Sequence, residues 1–178
     1  MAKIITAAEA ADLIRDGMTL GVSGFGAFAS PDCVMEAMSR KFKEQNTPRD
    51  LTIVSGVAPG DFVEDGCGLS KIKDEGIIRT LIASHLRMSP AIGRACSENK
   101  IAAFSMPLGV YGQLMNAIGG KRPGILTHVG LNTYADPRQD GCKMNELAKA
   151  DGRELVELIH VSGKDYLFYK AFHVDACI

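Results

Sequence analysis

The segment Gly21-Val-Ser-Gly24-Phe-Gly26 is the first place where residue type and spacing admit chemistry. Glycines there allow positive φ and let a ligand approach the main chain closely. Set between a strand and a helix, such a loop aims backbone amides at an oxyanion or a phosphate. The spacing is not the Gly-x-Gly-x-x-Gly of dinucleotide sites, and no acidic residue ends a second strand where a ribose would need one. The Lys-Ser/Thr of a P-loop is missing as well. Taken alone, the loop is equally well a structural turn.

Other reactive side chains are scattered. His85, His128, His160 and His173 show no metal-ligand spacing, and no metal site is assigned. His85 follows an apolar run and is a candidate for lining a pocket; the other three are expected to be structural or exposed. Ser23 and Ser105 have no evident base partner, so a hydrolase triad is not supported. Glu75, Asp136 and Arg138 are expected to be solvated or to cap loops. The five cysteines, Cys33, Cys67, Cys96, Cys142 and Cys177, are odd in number, widely spaced and without a Cys-x-x-Cys pair. They are expected to be reduced and mostly buried. No residue is assigned as catalytic.

The elements that must position these residues are legible in part. Thr6 is a helix N-cap for the amphipathic run Ala7–Arg15, which stops at Asp16-Gly17. Met18–Val22 reads as a buried strand, and Ser30-Pro31 opens a second helix running to about Lys43. Leu51–Ser55 and Thr80–Ala83 read as strands, Pro90–Asn99 as a helix, Ile101–Ser105 as a strand and Val110–Ile118 as a helix. Short apolar strands alternating with helices predict an α/β fold, a mainly parallel sheet with helices on both faces. Its strand-terminal loops should gather along one edge.

The last third differs. Glu154–Ile159 and Tyr166–Phe172 flank Ser162-Gly163-Lys164-Asp165 and predict a C-terminal hairpin. Tyr134–Ala150 is polar and turn-rich and reads as an extended loop or lid. The apolar run Val174–Ile178 is either a terminal strand tucked into the sheet or a strand cut short.

At 178 residues the chain is long enough for one sizeable core and short for two, so residues 1–178 are read as a single domain. A formal charge of -1 with interspersed signs leaves no basic stripe for nucleic acid and no polybasic segment for a membrane surface. The start, Met-Ala-Lys-Ile-Ile-Thr, has no signal-peptide pattern and no run approaches a membrane span; a cytoplasmic protein is expected.

Several motifs together resemble the family I coenzyme A transferases. Asp16-Gly17, the apolar strand, Ser23-Gly24-Phe25-Gly26 and Pro31 look like that family's first signature, in which Gly-Gly-Phe precedes a short glycine-containing stretch ending in Pro. Ser23 stands for the first glycine of the pair and Ala29 for the glycine two before Pro31. Pro48–Val54 is similar to the second strand, and Ile82-Ala-Ser-His85 with Pro90 and Gly93 to the third strand and helix. Glu98-Asn-Lys-Ile101 leads to Ser105-Met-Pro-Leu-Gly109, which resembles the family's Pro-Gln-Gly turn with Leu108 in place of the glutamine. Pro123–Thr127, Val129–Arg138 and Lys143-Met-Asn145 are the most specific. They resemble the single-chain bacterial acetate, propionate or 3-ketoacid CoA transferases, N-terminal (α-type) domain.

The resemblance implies transfer of CoA between a short-chain acyl-CoA and a carboxylic acid through a glutamyl-CoA thioester. Coenzyme A is then a substrate, and no tightly bound cofactor is implied. The nucleophilic glutamate belongs to the family's C-terminal, β-type half, and no position here matches its motif. The chain is therefore expected to be an incomplete half, truncated before or separate from a β-type domain, with an exposed apolar docking face and oligomeric assembly. Gly24, Phe25, Gly26, Leu108 and Gly109 are the candidates for substrate binding. The change at Leu108 reads either as a shift towards less polar or bulkier acyl groups or as divergence with chemistry preserved. A non-catalytic module of the same fold that binds a small acid or CoA is the alternative. A sugar-phosphate isomerase-like enzyme would need a phosphate loop and acid/base residues that the sequence does not offer.

Overall fold

In a computed structural model, which describes residues 3–178, the short apolar runs become parallel neighbours in one sheet. Strands β1 (Thr19–Gly21), β2 (Leu51–Val54), β3 (Ile78–Ala83), β4 (Ala102–Ser105) and β8 (Ala176–Cys177) lie in the order β4-β3-β2-β1-β8, every pair parallel. Gly21 pairs with Val54, Val54 with Ile82 and Ile82 with Phe104, so the carboxyl ends of four strands finish level. All residues of β2 and β4 are buried, as expected for strands covered on both faces.

One face carries helices, as the pattern predicts. Helix α1 (Ala7–Leu13) starts at a capping box in which Glu9 N donates to Thr6 Oγ1 and Thr6 N to Glu9 Oε2. It ends short of the expected Arg15 because Ile14 turns extended and enters the core. Helices α2 (Asp32–Gln45) and α3 (Pro90–Ser97) and a 3-10 turn at Gly68–Ile72 complete this layer around Met35, Met38, Leu69, Ile72 and Ile92.

The other face is shared, and here the expectation needs refining. Helix α4 (Leu108–Gly119) covers it together with a second, antiparallel sheet, order β5-β7-β6, made of β5 (Gly124–Thr127), β6 (Val156–Val161) and β7 (Lys164–Lys170). The predicted hairpin is therefore β6–β7, with β5 added along its far edge. Its turn is only Ser162-Gly163, both at positive φ, so Lys164 is already in the strand. Tyr169 is fully buried between this sheet and α4.

Tyr134–Ala150 is not an open lid. Ser105 N donates to Cys142 O at 2.7 Å and Met144 N to Ala103 O at 2.9 Å, which lays this segment antiparallel along β4. Asn145 then caps the short helix α5 (Glu146–Ala150) and donates through its amide to Cys96 O and Ile101 O, both at 2.7 Å. The apolar run at residues 174–178 pairs along β1. Ile178 N donates to Gly21 O and Ser23 N to Ile178 O, each at 2.9 Å. Met1 and Ala2, part of the segment read for a signal peptide, lie outside the described residues. Among the described residues no helix is long and apolar enough to cross a membrane.

Candidate functional site at the carboxyl edge of the sheet

Parallel α/β sheets bind ligands in the crevice outside their strand carboxyl ends. Four loops meet there: residues 22–31 after β1, 55–60 after β2, 84–89 after β3 and 106–109 at the start of α4. Main-chain bonds join them in sequence. Gly60 N donates to Gly26 O at 3.0 Å, Ala58 N to His85 O at 3.0 Å and Phe62 N to Met88 O at 2.9 Å. Two serine hydroxyls help: Ser55 Oγ donates to Val22 O at 2.8 Å and Ser105 Oγ to Ser84 O at 3.0 Å.

The glycine loop has the geometry its sequence implies. Gly24 sits at φ 113° and Gly26 at φ 60°, both in the region that favours glycine. A Cβ at Gly24 would come within 3.2 Å of Pro59 Cβ and Ser30 Cα, so the loop is also packed closely. Phe25 and Phe28 exchange main-chain hydrogen bonds at 3.1 Å, and Ser23 Oγ closes the loop by donating to Ala29 O at 3.2 Å. Ala29 holds φ 53° without being glycine, a strain of about 1 kcal/mol. The amides of Gly24 and Gly26 donate to no acceptor among the described residues.

Leu108 and Gly109 do not form a separate turn; they are the first two residues of α4, behind Pro107 at the cap. A proline cannot continue the strand, and its fixed φ suits a helix start. Leu108 leans over the carboxyl end of β2. A Cβ at Gly56 would lie 3.3 Å from Leu108 Cδ1 and from Tyr111 Cε1. Gly109 faces open space. The predicted residues thus meet through a third party: Gly24 abuts Pro59, and Leu108 abuts Gly56, both in the loop after β2. Sequence reasoning passed over that loop, although a glycine directly after an apolar strand is the signal that marks it. Phe25 (58% exposed) and Leu108 (49%) present carbon to the edge, with Phe28 beside them.

His85 is half-buried; its Nδ1, like Ser84 Oγ and Ser30 Oγ, is buried without a hydrogen-bond partner among the described residues. His128, His160 and His173 are exposed, the last two beside Asp165 and Asp175. Glu75 is exposed near Lys100. Asp136 is not solvated. It is fully buried, caps the amides of Asn132 (2.9 Å) and Arg138 (3.0 Å), and receives Arg138 Nε and Nη2 at 3.0 and 2.7 Å. The Arg138 hydrogen bonds, more than its charge, hold the Asp136 carboxyl well below the usual carboxylate range. The cysteines are less buried than expected. Cys96 and Cys142 are buried, and desolvation pushes both thiols up to about 12, whereas Cys33 and Cys177 are exposed and Cys67 is half-buried.

Residues 4–178 match the family described as Coenzyme A transferase. The chain is 42% identical over 178 residues to caffeate CoA-transferase of Acetobacterium woodii, covering 100% of this chain and 33% of that protein. It is 36% identical over 173 residues to acetate CoA-transferase YdiF of Escherichia coli K12, covering 97% and 32%. The crystal structure of the acyl-CoA transferase YdiF apoenzyme from Escherichia coli O157:H7 superposes with a TM-score of 0.90 at 34% identity, over 98% of this chain and 33% of that one. The chain therefore spans about a third of the length of these relatives. Parallel strand order, a glycine loop at the strand ends and a match over nearly every residue agree: the chain belongs to the coenzyme A transferase family.

Proposed function

We propose that residues 1–178 form an α-type domain that supplies the acyl-side wall of a CoA transferase. The transferase moves CoA between an acyl-CoA and a carboxylic acid, and its nucleophilic glutamate comes from a β-type half. One observation carries this reading. The loops at residues 22–31, 55–60, 84–89 and 106–109 converge on one edge yet contain no Asp or Glu. The edge offers a ligand amides, carbon and the side chains of His85 and Arg87, and the carboxylate next to it in the chain, Asp61, accepts from Val63 N.

The chemistry needs a carboxylate that attacks the thioester carbonyl, expelling CoA thiolate and leaving an acyl-glutamyl anhydride. The thiolate then attacks the glutamyl carbonyl, giving the glutamyl-CoA thioester and releasing the first acid. A second acid reverses both steps. Negative charge develops on a carbonyl oxygen each time, and preorganised donors lower that barrier. The free amides of Gly24 and Gly26 and those of the first turn of α4 are such donors. Ser84 Oγ and His85 Nδ1 are further polar groups that a ligand or second half would complete.

An apolar groove of about 590 Å³ between α4 and strands β1 and β8, lined by Tyr111, Met115, Ile118, Val174, Cys177 and Ile178 among others, supports further polypeptide packing there. The relatives named for caffeate and for acetate act on very different acids, so family membership leaves the acid open.

The test is to mix this chain with a candidate β-type half and an acyl-CoA, quench, and search by mass spectrometry for a CoA adduct on glutamate. The adduct is expected only in the mixture and on the β-type polypeptide. Transfer by the isolated chain would overturn the half-site reading. Failure of the two to associate would favour a non-catalytic module that binds a small acid or CoA.

A further inference from the structure

We propose that the cleft at the amino ends of the parallel strands, floored by Thr19 and Thr52 and walled by Arg153 and Lys170, binds a small oxyanion of the phosphate or polycarboxylate class. It lies at the other end of the sheet from the candidate active site, and the proposal is independent of the transferase reading.

Register makes the floor. Thr19 pairs with Thr52 and Thr52 with Thr80, so three threonines stand side by side across β1, β2 and β3. The next residues, Leu20, Ile53 and Leu81, belong to the helix-covered core, so alternation turns the threonines to the opposite face. The row ends at Ala102, which pairs with Thr80 and packs in the core beneath the second sheet. Burial deepens along it: Thr19 is half-buried, Thr52 is 7% exposed and Thr80 is fully buried. Thr80 Oγ1 has no hydrogen-bond partner among the described residues. A buried hydroxyl left alone is costly where a valine would fit. Neighbouring strands lie about 4.8 Å apart, too far for one hydroxyl to reach the next. An oxygen seated between Thr52 and Thr80 would bond to both.

The walls supply donors. Residues 153–155 lead into β6 and residues 170–173 leave β7, and with the threonines they enclose about 300 Å³. Lys170 N donates to Leu155 O at 3.0 Å, which ties the two segments together. Arg153 pairs through Nε with Asp151 at 3.3 Å, Lys170 with Glu157, and His173 Nε2 with Asp175 at 3.1 Å. None of these three carboxylates lines the cleft, and the one that does, Glu154, is engaged by Lys143. The Arg153 Nη groups, the remaining Lys170 protons and the threonine hydroxyls leave the cleft with more donors than acceptors. A ligand made of acceptors, an oxyanion, is the complement of such a lining. The volume stands at the lower end for small-molecule sites, so the ion is small.

The experiment titrates this chain, alone and assembled with its β-type half, by calorimetry with sodium phosphate, succinate and citrate, and with sodium chloride at matched ionic strength. One oxyanion per chain is expected to bind, and the comparison of phosphate with the two carboxylates tells which source it has. Chloride should give neither saturable heat nor a shift in thermal midpoint. Thr52→Val removes a hydroxyl at nearly constant shape and should weaken binding about 10-fold, and Arg153→Met by about 10-fold or more. Thr80→Val should weaken binding while raising the urea midpoint of the ligand-free chain, since it deletes an orphaned group. Lys164→Met, an equal loss of charge at an exposed position on β7, should leave affinity unchanged. Arg153 is partly exposed, so its variant decides the matter even where a threonine variant fails to fold. No saturable binding of any of the three oxyanions, an equal response to chloride, or affinity that survives both Thr52→Val and Arg153→Met overturns the proposal. None of these results touches the transferase reading, whose own test is the glutamyl-CoA adduct.

Discussion

The loops at the carboxyl edge and the segment from Val129 to Met144 are both irregular, yet they are built in opposite ways. The segment is fixed by buried side chains in addition to main-chain bonds, some of which lay it along β4. Asp136 caps two amides and grips Arg138, which reaches Asp165 on β7 at 3.1 Å. Tyr169 donates its hydroxyl to Val129 O at 3.0 Å, and Thr133 donates to Gly130 O at 2.7 Å. The edge loops are fixed mainly by main-chain bonds and close glycine packing, while Phe25, Phe28 and Leu108 stay exposed. A loop whose side chains are consumed in holding it is scaffold. A loop held by its backbone keeps its side chains available for a ligand.

The contrast can be broken from either side, beginning with the largest effect. Gly60→Ala places a Cβ 2.2 Å from Met88 O, a main-chain atom that cannot swing aside as a side chain would. It should destabilise the domain by about 3–5 kcal/mol, measured by urea unfolding. Asp136→Ala removes the cap of the other region and orphans two amides; a loss of about 2–4 kcal/mol is expected in the same assay. Its hydrogen-exchange signature should be confined to residues 129–142, and exchange spreading to the Gly24 loop would contradict the division.

Acid offers a third lever. Asp136 is held below its unfolded value, so its contribution is fully present above the unfolded value of about 4 and is lost as pH falls through the folded one. The urea midpoint should drop on acidification in the wild type. The drop should be smaller in Asp136→Asn, which has no such proton to take up, and equal drops would count against the assignment. The smallest effect belongs to the exposed wall: Leu108→Gln should change stability by less than about 0.5 kcal/mol. A larger loss would make Leu108 a packing residue first.

How much was legible follows from the same contrast. Thr6, Pro31 and the apolar runs 51–55 and 101–105 announce their elements through local rules, and those elements form. Gly24 and Gly26 announce positive φ, and they have it. What stayed hidden depends on distant partners. Residues 142–144 look like loop because their pairing partner, β4, lies about forty residues earlier in the chain. Asp136 is legible as a loop cap but not as a buried one, because its burial involves Arg138, which also pairs with the distant Asp165 on β7. Gly56 went unremarked because its neighbours are Leu108 and Tyr111, remote in sequence.

In the sheet order, β2 is the middle strand, and its loop meets Gly24 through Pro59 and Leu108 through Gly56. The two walls therefore share a hinge pin. Engineering of this family member should show epistasis that distance would not predict: substitutions at Gly24 and Leu108 should combine non-additively through residues 56–59. A directed-evolution library that varies either wall while freezing that short stretch would explore only part of the accessible specificities.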